Sequence, residues 1–465
     1  MPNPLCPAPA PAPPAVAIVG AGFSGTLLAV HLLRMARAPL QVLLIERSGR
    51  AGRGLAYASA SDSHLLNVRV ANMSALPEQP GHFRDWLQAC GHAAGLGDDG
   101  GAAFVPRRVY GAYLEALLAE ARATAAEGVR CTLLAAGVTR LDRAGDGWRL
   151  QLDDGDCRSA GRVVLCLGNL PPAAPCPLPA LLPAGRYLAD PWQAAALAMI
   201  PPAATVLLAG TGLTMVDTLL SLLDQGHRGP VLALSRRGLL PQTHAPVAAP
   251  WPCLGAQESL GQLSALLARV RNGVRAAGGD WRAVIDGLRP HTQRLWTALP
   301  DAERRRFLRH LRPYWEVHRH RLAPPVAARL QAALAGGRLR VLAARLQGIE
   351  LTAVDRLRVQ GRLRSGGAML TLDTDVLINC TGPQCDFARI DEPLLRDALA
   401  RGLLRADALG LGLDAGEDGE LLDHEGRPQP GLYGLGPQVR GRVWELTAVP
   451  ELRLAAARLG ARLAG

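Results

Sequence analysis

A glycine-rich turn near the start of the chain constrains the fold more than any other feature. An apolar run at residues 16–19 predicts a strand, the turn at residues 20–25 follows it, and apolar positions with helical spacing continue to about residue 37. A second predicted strand, at residues 40–45, ends in Glu46. Glycines between a strand and a helix let the backbone approach a pyrophosphate, which the helix N-terminus stabilises. We interpret the turn as a dinucleotide site in which Glu46 accepts hydrogen bonds from a ribose.

A second copy of this pattern begins near residue 205. A predicted strand at residues 206–209 leads into the turn at residues 210–215, in which Met215 takes the place of the third glycine. A helix to about residue 225 and a strand at residues 231–234 complete the pattern. The sequence therefore predicts two dinucleotide sites.

The residue after the second strand differs between the two copies. The intervals from Gly22 to Glu46 and from Gly212 to Arg236 are both 24 residues, so spacing equates the acid with an arginine. Arginine binds a ribose 2′-phosphate through a fork of donors, whereas a carboxylate repels it. We therefore predict FAD at the first turn and NADP at the second, with NADPH as the reductant and NADH as the alternative. A solvated turn at Arg236 and Arg237 is the structural alternative.

Composition excludes several kinds of function. All 51 basic residues are Arg, which excludes lysine Schiff-base and P-loop chemistry. The net charge of +11 comes without a basic block interleaved with aromatic residues, so we predict no nucleic-acid partner. Nine scattered cysteines without a Cys-x-x-Cys motif favour reduced thiols in the cytoplasm. Residues 1–15 alternate Pro and Ala, which predicts a disordered tail, and no apolar run predicts a membrane span.

The order of the predicted elements defines the fold class. A buried strand at residues 162–167 precedes a proline-rich crossing between domains, and a strand at residues 375–382 mirrors it. A glycine turn at residues 431–437 and a final helix that opens at Pro450 complete the chain. We predict an α/β fold with two Rossmann-like dinucleotide-binding domains, the NADP domain being inserted in the FAD domain. The predicted ranges are 16–180 and 370–465 for the FAD-binding domain and 185–369 for the NAD(P)-binding domain, with a helical, Arg-rich segment at 240–335.

The stretch at residues 309–321 is rich in histidine and arginine and raises the question of a metal. Its cationic neighbours oppose a metal cation, and no carboxylate or thiolate completes a ligand set. We therefore predict no metal site. We interpret the stretch as a basic helical face, with substrate or phosphate binding as the alternative.

Short stretches spread over the chain carry a resemblance to a known family. They are residues 20–25, 64–68, 106–111, 210–217, 318–321 and 444–451. Through them about residues 16–465 resemble the two-dinucleotide-binding flavoproteins, in particular the bacterial FAD/NAD(P)-binding proteins that include FAD-dependent urate hydroxylases and aspartate N-monooxygenases. The stretch from Leu66 to Pro77 is similar to the flavin-side segment of flavin-containing monooxygenases. That resemblance implies that Asn67 hydrogen-bonds the flavin or its peroxide, which makes Asn67 the candidate catalytic residue.

Motif and resemblance together assign two sets of cofactor-binding residues. The FAD set is Gly20, Gly22, Ser24, Gly25, Glu46, Arg47, Gly54, Asn67, Arg108, Gly382, Gly436 and Thr447. The NADP set is Gly210, Gly212, Thr214, Arg236 and Arg237.

The leading functional hypothesis is a monooxygenase. NADPH would reduce FAD, and the reduced flavin would trap oxygen as a C4a-hydroperoxide that hydroxylates a small molecule, at an amine nitrogen or on a urate-like ring. The alternative is an NAD(P)H-dependent flavin reductase or electron-transfer oxidoreductase without oxygen insertion. Its close cysteine pair would be Cys380 and Cys385, although packed core is the simpler interpretation of Cys380. A non-catalytic nucleotide sensor is the third hypothesis, which two complete glycine turns disfavour.

Overall fold

The computed structural model describes residues 15–92, 101–246, 249–252, 254–255 and 261–465. Of the predicted Pro/Ala tail only Ala15 lies within them, and it begins the first strand; the rest of that prediction falls outside the described residues. Within these ranges no helix is long and apolar enough to cross a membrane.

Strands and helices alternate in parts of the described chain and elsewhere follow one another in runs of one type. The strands are β1 (Ala15–Val19), β2 (Leu40–Ile45), β3 (Val129–Leu134), β4 (Val138–Ala144), β5 (Gly147–Leu152), β6 (Cys157–Ala160), β7 (Arg162–Leu165), β8 (Tyr187–Leu188), β9 (Val206–Ala209), β10 (Val231–Ser235), β11 (Leu339–Leu351), β12 (Leu357–Leu363), β13 (Met369–Thr374), β14 (Val376–Asn379), β15 (Glu420–Leu422) and β16 (Pro428–Gly434). The helices are α1 (Phe23–Met35), α2 (Gly54–Tyr57), α3 (His82–Ala89), α4 (Arg107–Ala123), α5 (Ala194–Ala198), α6 (Leu213–Asp224), α7 (Leu263–Ala276), α8 (Trp281–Leu288), α9 (Thr292–Ala298), α10 (Asp301–His310), α11 (Arg312–Arg319), α12 (Pro324–Ala335), α13 (Pro393–Ala400) and α14 (Val449–Ala464).

The first unit, residues 15–170 and 384–465, is built on a six-stranded sheet. Its strand order is β15-β16-β7-β1-β2-β3, and every pair is parallel except β15 with β16. Strands β1 and β2 are almost wholly apolar and buried, as expected for a parallel sheet covered on both faces. Helix α14 approaches α1 closely because position 460 is glycine; a Cβ there would lie 2.8 Å from the Cβ of His31. A small antiparallel sheet, β4-β5-β6, is attached to this unit.

The second unit, residues 185–246 and 320–382, is built on a seven-stranded sheet. Its order is β13-β12-β11-β10-β9-β14-β8, and β14 pairs in parallel with β9. The predicted boundary at residue 370 is therefore wrong by about ten residues, because β13 and β14 belong to this sheet. Residues 339–351 form one long strand, β11, with a bulge between Leu346 and Gly348.

The helical segment, residues 263–319, lies outside both sheets and comprises α7 to α11. The predicted helical region at residues 240–335 begins too early, whereas its predicted end coincides with the end of α12 at Ala335. Residues 242–244 contain a β-bridge from Thr243 to Leu322 instead of a helix. Helix α12 packs its apolar face into the core of the second unit through Val326, Ala327 and Leu330.

Candidate nucleotide sites

The first glycine turn follows β1 and requires glycine at two positions. Gly20 has φ +100°, and a Cβ there would lie 2.3 Å from the carbonyl oxygen of Cys166. A Cβ on Gly25 would lie 1.9 Å from the carbonyl oxygen of Gly20. Helix α1 begins directly at Phe23, so its N-terminus stands at the carboxyl end of the sheet. This is the geometry in which a helix N-terminus stabilises a pyrophosphate.

Two distant glycines close over this turn. Gly54 has φ +49°, and its Cβ would lie 2.9 Å from the Cα of Gly22. Gly436 has φ +114°, and its Cβ would lie 3.0 Å from the Oγ of Ser24. The structure thus brings four predicted residues, from three separate parts of the sequence, into one cradle that side chains would fill.

Glu46 lies at the edge of the same turn, as predicted. Its Oε2 accepts the N–H of Ala21 at 2.9 Å, and its Oε1 accepts the N–H of Ser48 at 3.1 Å. These bonds hold the carboxylate beside the glycine turn, where a ribose of a bound dinucleotide would lie.

A cavity of about 140 Å³ adjoins Glu46. The predicted residues Gly20, Glu46 and Arg47 line it together with Ala136 and Val138. The guanidinium of Arg47 binds Glu392 through its Nη1 at 3.0 Å, so Arg47 closes the rim of the cavity. The assignment of Arg47 to the FAD-binding residues stays a prediction.

Three predicted FAD residues lie away from the cradle. Arg108 pairs with the exposed Asp62. Gly382 follows β14 and therefore lies at the end of a strand of the second sheet, and its assignment to FAD stays a prediction. Thr447 lies in the turn before α14 and donates its N–H to the carbonyl oxygen of Glu445 at 2.6 Å.

Sequence reasoning chose Arg108 and missed its neighbour Arg107. The guanidinium of Arg107 forms a buried ion pair with Asp217 of α6 at 2.8 Å, which joins the two units. His64 lies beside this pair, with its Nε2 2.9 Å from the Oγ of Ser221. Both residues were within stretches that carried the resemblance, but only the folded chain shows which arginine faces inward.

The second glycine turn repeats the backbone of the first. Gly210 has φ +117°, and its Cβ would lie 2.3 Å from the carbonyl oxygen of Cys380, which is the equivalent of Cys166. Met215, in place of the third glycine, is fully buried in the core of the second unit. The predicted Thr214 accepts the hydroxyl of Thr218 with its carbonyl oxygen at 2.8 Å.

The register of the strands corrects the predicted alignment of the two turns. Gly20 donates its N–H to Ile45, and Gly210 donates to Leu234, each at 2.8 Å, so those two acceptors are equivalent. It follows that Glu46 corresponds to Ser235, not to Arg236. The equal 24-residue spacing gave the wrong alignment. The interval from Gly210 to its acceptor Leu234 is one residue shorter than the interval from Gly20 to its acceptor Ile45.

The residue that corresponds to Glu46 is an uncharged serine, and an exposed arginine follows it. Ser235 Oγ lies 2.8 Å from Thr211 Oγ1, and Arg236 extends into solvent at the carboxyl end of β10. Arg237 turns the other way: its Nη2 donates to the carbonyl oxygen of Arg309 at 3.4 Å. Of the predicted pair Arg236 is the exposed residue, and its contact with a 2′-phosphate stays a prediction.

Asn67 lies where the two units meet. Its carbonyl oxygen accepts the Nε2–H of His244 at 3.0 Å, and the ring of Phe104 lies 5.1 Å from that of His244. Burial lowers the pKa of His244 to about 4, so the imidazole is neutral at physiological pH. Nearby, Arg69 donates to the carbonyl oxygen of Ala245 at 2.9 Å. Sequence reasoning missed His244, which has no motif around it.

The helical segment docks on residues 436–451 of the first unit. Trp296 Nε1 donates to the carbonyl oxygen of Gly441 at 2.8 Å, and Trp315 Nε1 donates to Glu445 at 2.9 Å. Arg319, from the His/Arg-rich stretch, forms a buried ion pair with Glu445 at 3.0 Å. Part of that stretch therefore forms an interface. Because Arg319 is buried, the stretch is not a basic face that is exposed to solvent along its whole length.

Comparisons with known proteins agree with this architecture. Residues 17–170 match the model of a family described as FAD-NAD(P)-binding. No curated protein sequence matches the chain. Among solved structures, the chain is similar to the ornithine N-hydroxylase of Kutzneria sp. 744, with a TM-score of 0.64 and 16% identity over 97% of this chain and 99% of that chain.

Two further structures have the same degree of likeness. L-lysine 6-monooxygenase from Pseudomonas syringae has a TM-score of 0.64 and 19% identity, over 97% of this chain and 99% of that chain. A cadaverine monooxygenase from Erwinia amylovora, solved with FAD, has a TM-score of 0.64 and 12% identity, over 96% and 92%. The chain thus has the two-unit α/β fold of FAD- and NAD(P)-binding flavoproteins.

Proposed function

We propose that the protein is an FAD-dependent monooxygenase that uses NADPH and oxygen to hydroxylate an amine nitrogen of a small molecule. The observation that carries the proposal is the contrast between the two ribose positions, Glu46 at the first turn and Ser235 with Arg236 at the second. One site suits the unphosphorylated ribose of FAD, and the other suits the 2′-phosphate of NADPH. The three similar solved structures are described as an ornithine hydroxylase and monooxygenases of lysine and cadaverine, which favours an amine over a urate-like ring.

The first turn fits FAD because only glycine leaves room for its pyrophosphate. Gly22, Gly54 and Gly436 line the cradle, and a Cβ on Gly54 would lie 2.9 Å from the Cα of Gly22 while one on Gly436 would lie 3.0 Å from the Oγ of Ser24. Ser24 adds a hydroxyl at the helix N-terminus, beside Gly436. These four residues would hold the diphosphate, and Glu46 would hold the ribose.

The chemistry divides between the cofactor and the chain. Bound FAD supplies the redox centre that accepts hydride from NADPH and activates oxygen. The balanced reaction is R–NH2 + O2 + NADPH + H⁺ giving R–NHOH + H2O + NADP⁺. The chain contributes the placement of groups around the site. Asn67 lies at the junction of the units, and the neutral His244 holds the backbone of Asn67 there by one hydrogen bond.

The environment of the cysteine pair, in particular of Cys380, argues against the reductase alternative. Cys380 is buried at the end of β14, and burial raises the pKa of its thiol to about 12. Disulfide chemistry needs a thiolate, which this environment opposes. Cys380 also occupies the position that Cys166 occupies in the first sheet, which points to packing in both units. The seven described cysteines are all free, which supports a location in the cytoplasm.

Anaerobic mixing tests the proposal. Purified protein is loaded with FAD and mixed with NADPH, then in a second sample with NADH, while the flavin absorbance is followed. We expect NADPH to bleach the flavin faster than NADH. Oxygen is then admitted with and without an amine, and hydroxylamine product and peroxide are measured. Bleaching without any hydroxylated product for a panel of amines would favour the reductase, and protein that binds no FAD would refute both.

A further inference from the structure

An apolar cavity of about 290 Å³ lies within the helical segment, against one residue of the first unit. None of the described residues that line it is Asp, Glu or Arg. Only 4% of the chain is aromatic, yet four of its eight tryptophans line this cavity. The rings in its wall are Trp281, Trp296, Phe307, Tyr314, Trp315 and Trp444.

Two indole N–H groups of the wall are bonded away from the space. Trp296 Nε1 donates to Gly441 and Trp315 Nε1 donates to Glu445, so both indoles present carbon to the cavity. A charged group placed here would face mainly apolar side chains and would lose much of its hydration. Protein interiors are close-packed, and a cavity of about 150 Å³ is enough to hold benzene. A natural cavity of nearly twice that size therefore suits an apolar ligand.

One segment of chain, residues 436–444, runs from the cradle of the first turn to the wall of the cavity. Trp444 lines the cavity and stacks on Trp296 with ring centroids 4.5 Å apart. Eight residues earlier, Gly436 lies against Ser24 of the first turn. A ligand in the cavity is thus held by the same segment that closes over the cradle.

We propose that this cavity binds the apolar ring system of the substrate, so that the enzyme hydroxylates a hydrophobic, ring-bearing amine. By volume the ring system has roughly twelve non-hydrogen atoms, twice the size of benzene. This inference rests on the proposed function for its choice of an amine. It distinguishes the chain from enzymes whose substrate is a small charged amine such as ornithine.

The test uses calorimetric titration of the FAD-loaded protein with tryptamine, an indole on an ethylamine chain, and with ornithine and octylamine. We expect tryptamine to bind at least tenfold more tightly than either. Val270 lines the cavity and is only partly buried, so Val270→Trp should fill the space. This variant should weaken tryptamine binding at least tenfold. Val354→Trp, at a position 74% exposed, makes the same change outside the cavity and should leave binding unaltered.

Two further readouts separate the failure of this inference from failure of the proposed function. Thermal unfolding checks that Val270→Trp is folded, and Val270→Phe serves as the milder filling variant. NADPH bleaching of the flavin reports the proposed function without using the cavity. Normal bleaching with no tryptamine binding, or with binding that both cavity variants retain, would overturn the cavity assignment alone. Tighter binding of octylamine than of tryptamine would overturn the ring-bearing class.

Discussion

The two nucleotide turns share a backbone plan but differ in how much of the chain covers them. At the first turn, the Cα of Gly54 would lie 3.5 Å from a Cβ on Gly22, and Gly436 closes the other side against Ser24. At the second turn, no described atom would lie within 4 Å of a Cβ on Gly212. An enclosed site suits a cofactor that stays bound, and an open site suits one that exchanges in every reaction cycle. The difference teaches that the glycine pattern sets the turn, whereas distant segments set how tightly a ligand is held.

The largest expected effect comes from replacing a glycine of the first turn by alanine. Gly25→Ala would place its Cβ 1.9 Å from the carbonyl oxygen of Gly20, a clash that helix and strand relieve only by separating. We expect a loss of about 3 kcal/mol or more in the free energy of unfolding, with loss of FAD. Gly212→Ala, in the open turn, adds a methyl group that meets no described atom within 4 Å and should alter the unfolding midpoint little. Equal losses in the two variants would contradict the comparison.

The contact between the units should weaken in acid. Burial lowers the pKa of His244 from 6.5 to about 4, so between these pH values the unfolded chain binds a proton that the folded chain does not. The stability that His244 contributes is therefore fully present above pH 6.5 and is lost as the pH falls towards 4, by about 2 kcal/mol. Thermal unfolding from pH 7.5 to 4 measures this.

His244→Gln is the informative variant for that prediction. Glutamine keeps an N–H for the carbonyl oxygen of Asn67 but does not titrate, so the variant should lose stability less steeply in acid. A residual slope is expected from His31 in the first unit, whose pKa burial also lowers to about 4. A variant with the same pH profile as the natural protein would show that the contact between the units does not depend on this imidazole.

Arg236→Ala sharpens the contrast in cofactor choice. Removing an exposed contact to the 2′-phosphate should weaken NADPH binding about 10- to 30-fold and leave NADH unchanged, measured by the rate of flavin bleaching against concentration. Arg340→Ala, another exposed arginine on the same sheet, is the control. Ser235→Glu would recreate the acid of the first turn and should shift preference towards NADH. A parallel loss for both nucleotides would instead indicate a contact to the pyrophosphate.

The smallest effect should come from the equivalent cysteines of the two sheets. Cys166→Ala and Cys380→Ala each remove a buried thiol, and each should cost about 1 kcal/mol of stability. Neither should change the NADPH-dependent bleaching of FAD, and Cys385→Ala should be silent. Loss of activity in the Cys380 variant but not in the Cys166 variant would break the equivalence and restore the disulfide reductase alternative.

Local patterns determined the elements of this protein and the existence of two nucleotide turns. Strand, glycine turn and helix are encoded within about 30 residues, so residues 16–46 and 206–235 could be interpreted without a structure. The same holds for the final helix, whose predicted opening at Pro450 lies one residue from its observed start at Val449.

Only the tertiary structure decided which distant residues complete each site. Gly436 reaches Ser24, and His244 reaches Asn67, across intervals that carry no local signal. Strand order moved Gly382 to the second sheet, and hydrogen-bond register, which counting along the chain does not reveal, equated Glu46 with Ser235. The cavity of the helical segment is likewise a product of packing. Its aromatic residues are scattered in the sequence, and hydrophobic burial, which has no direction along the chain, gathers them.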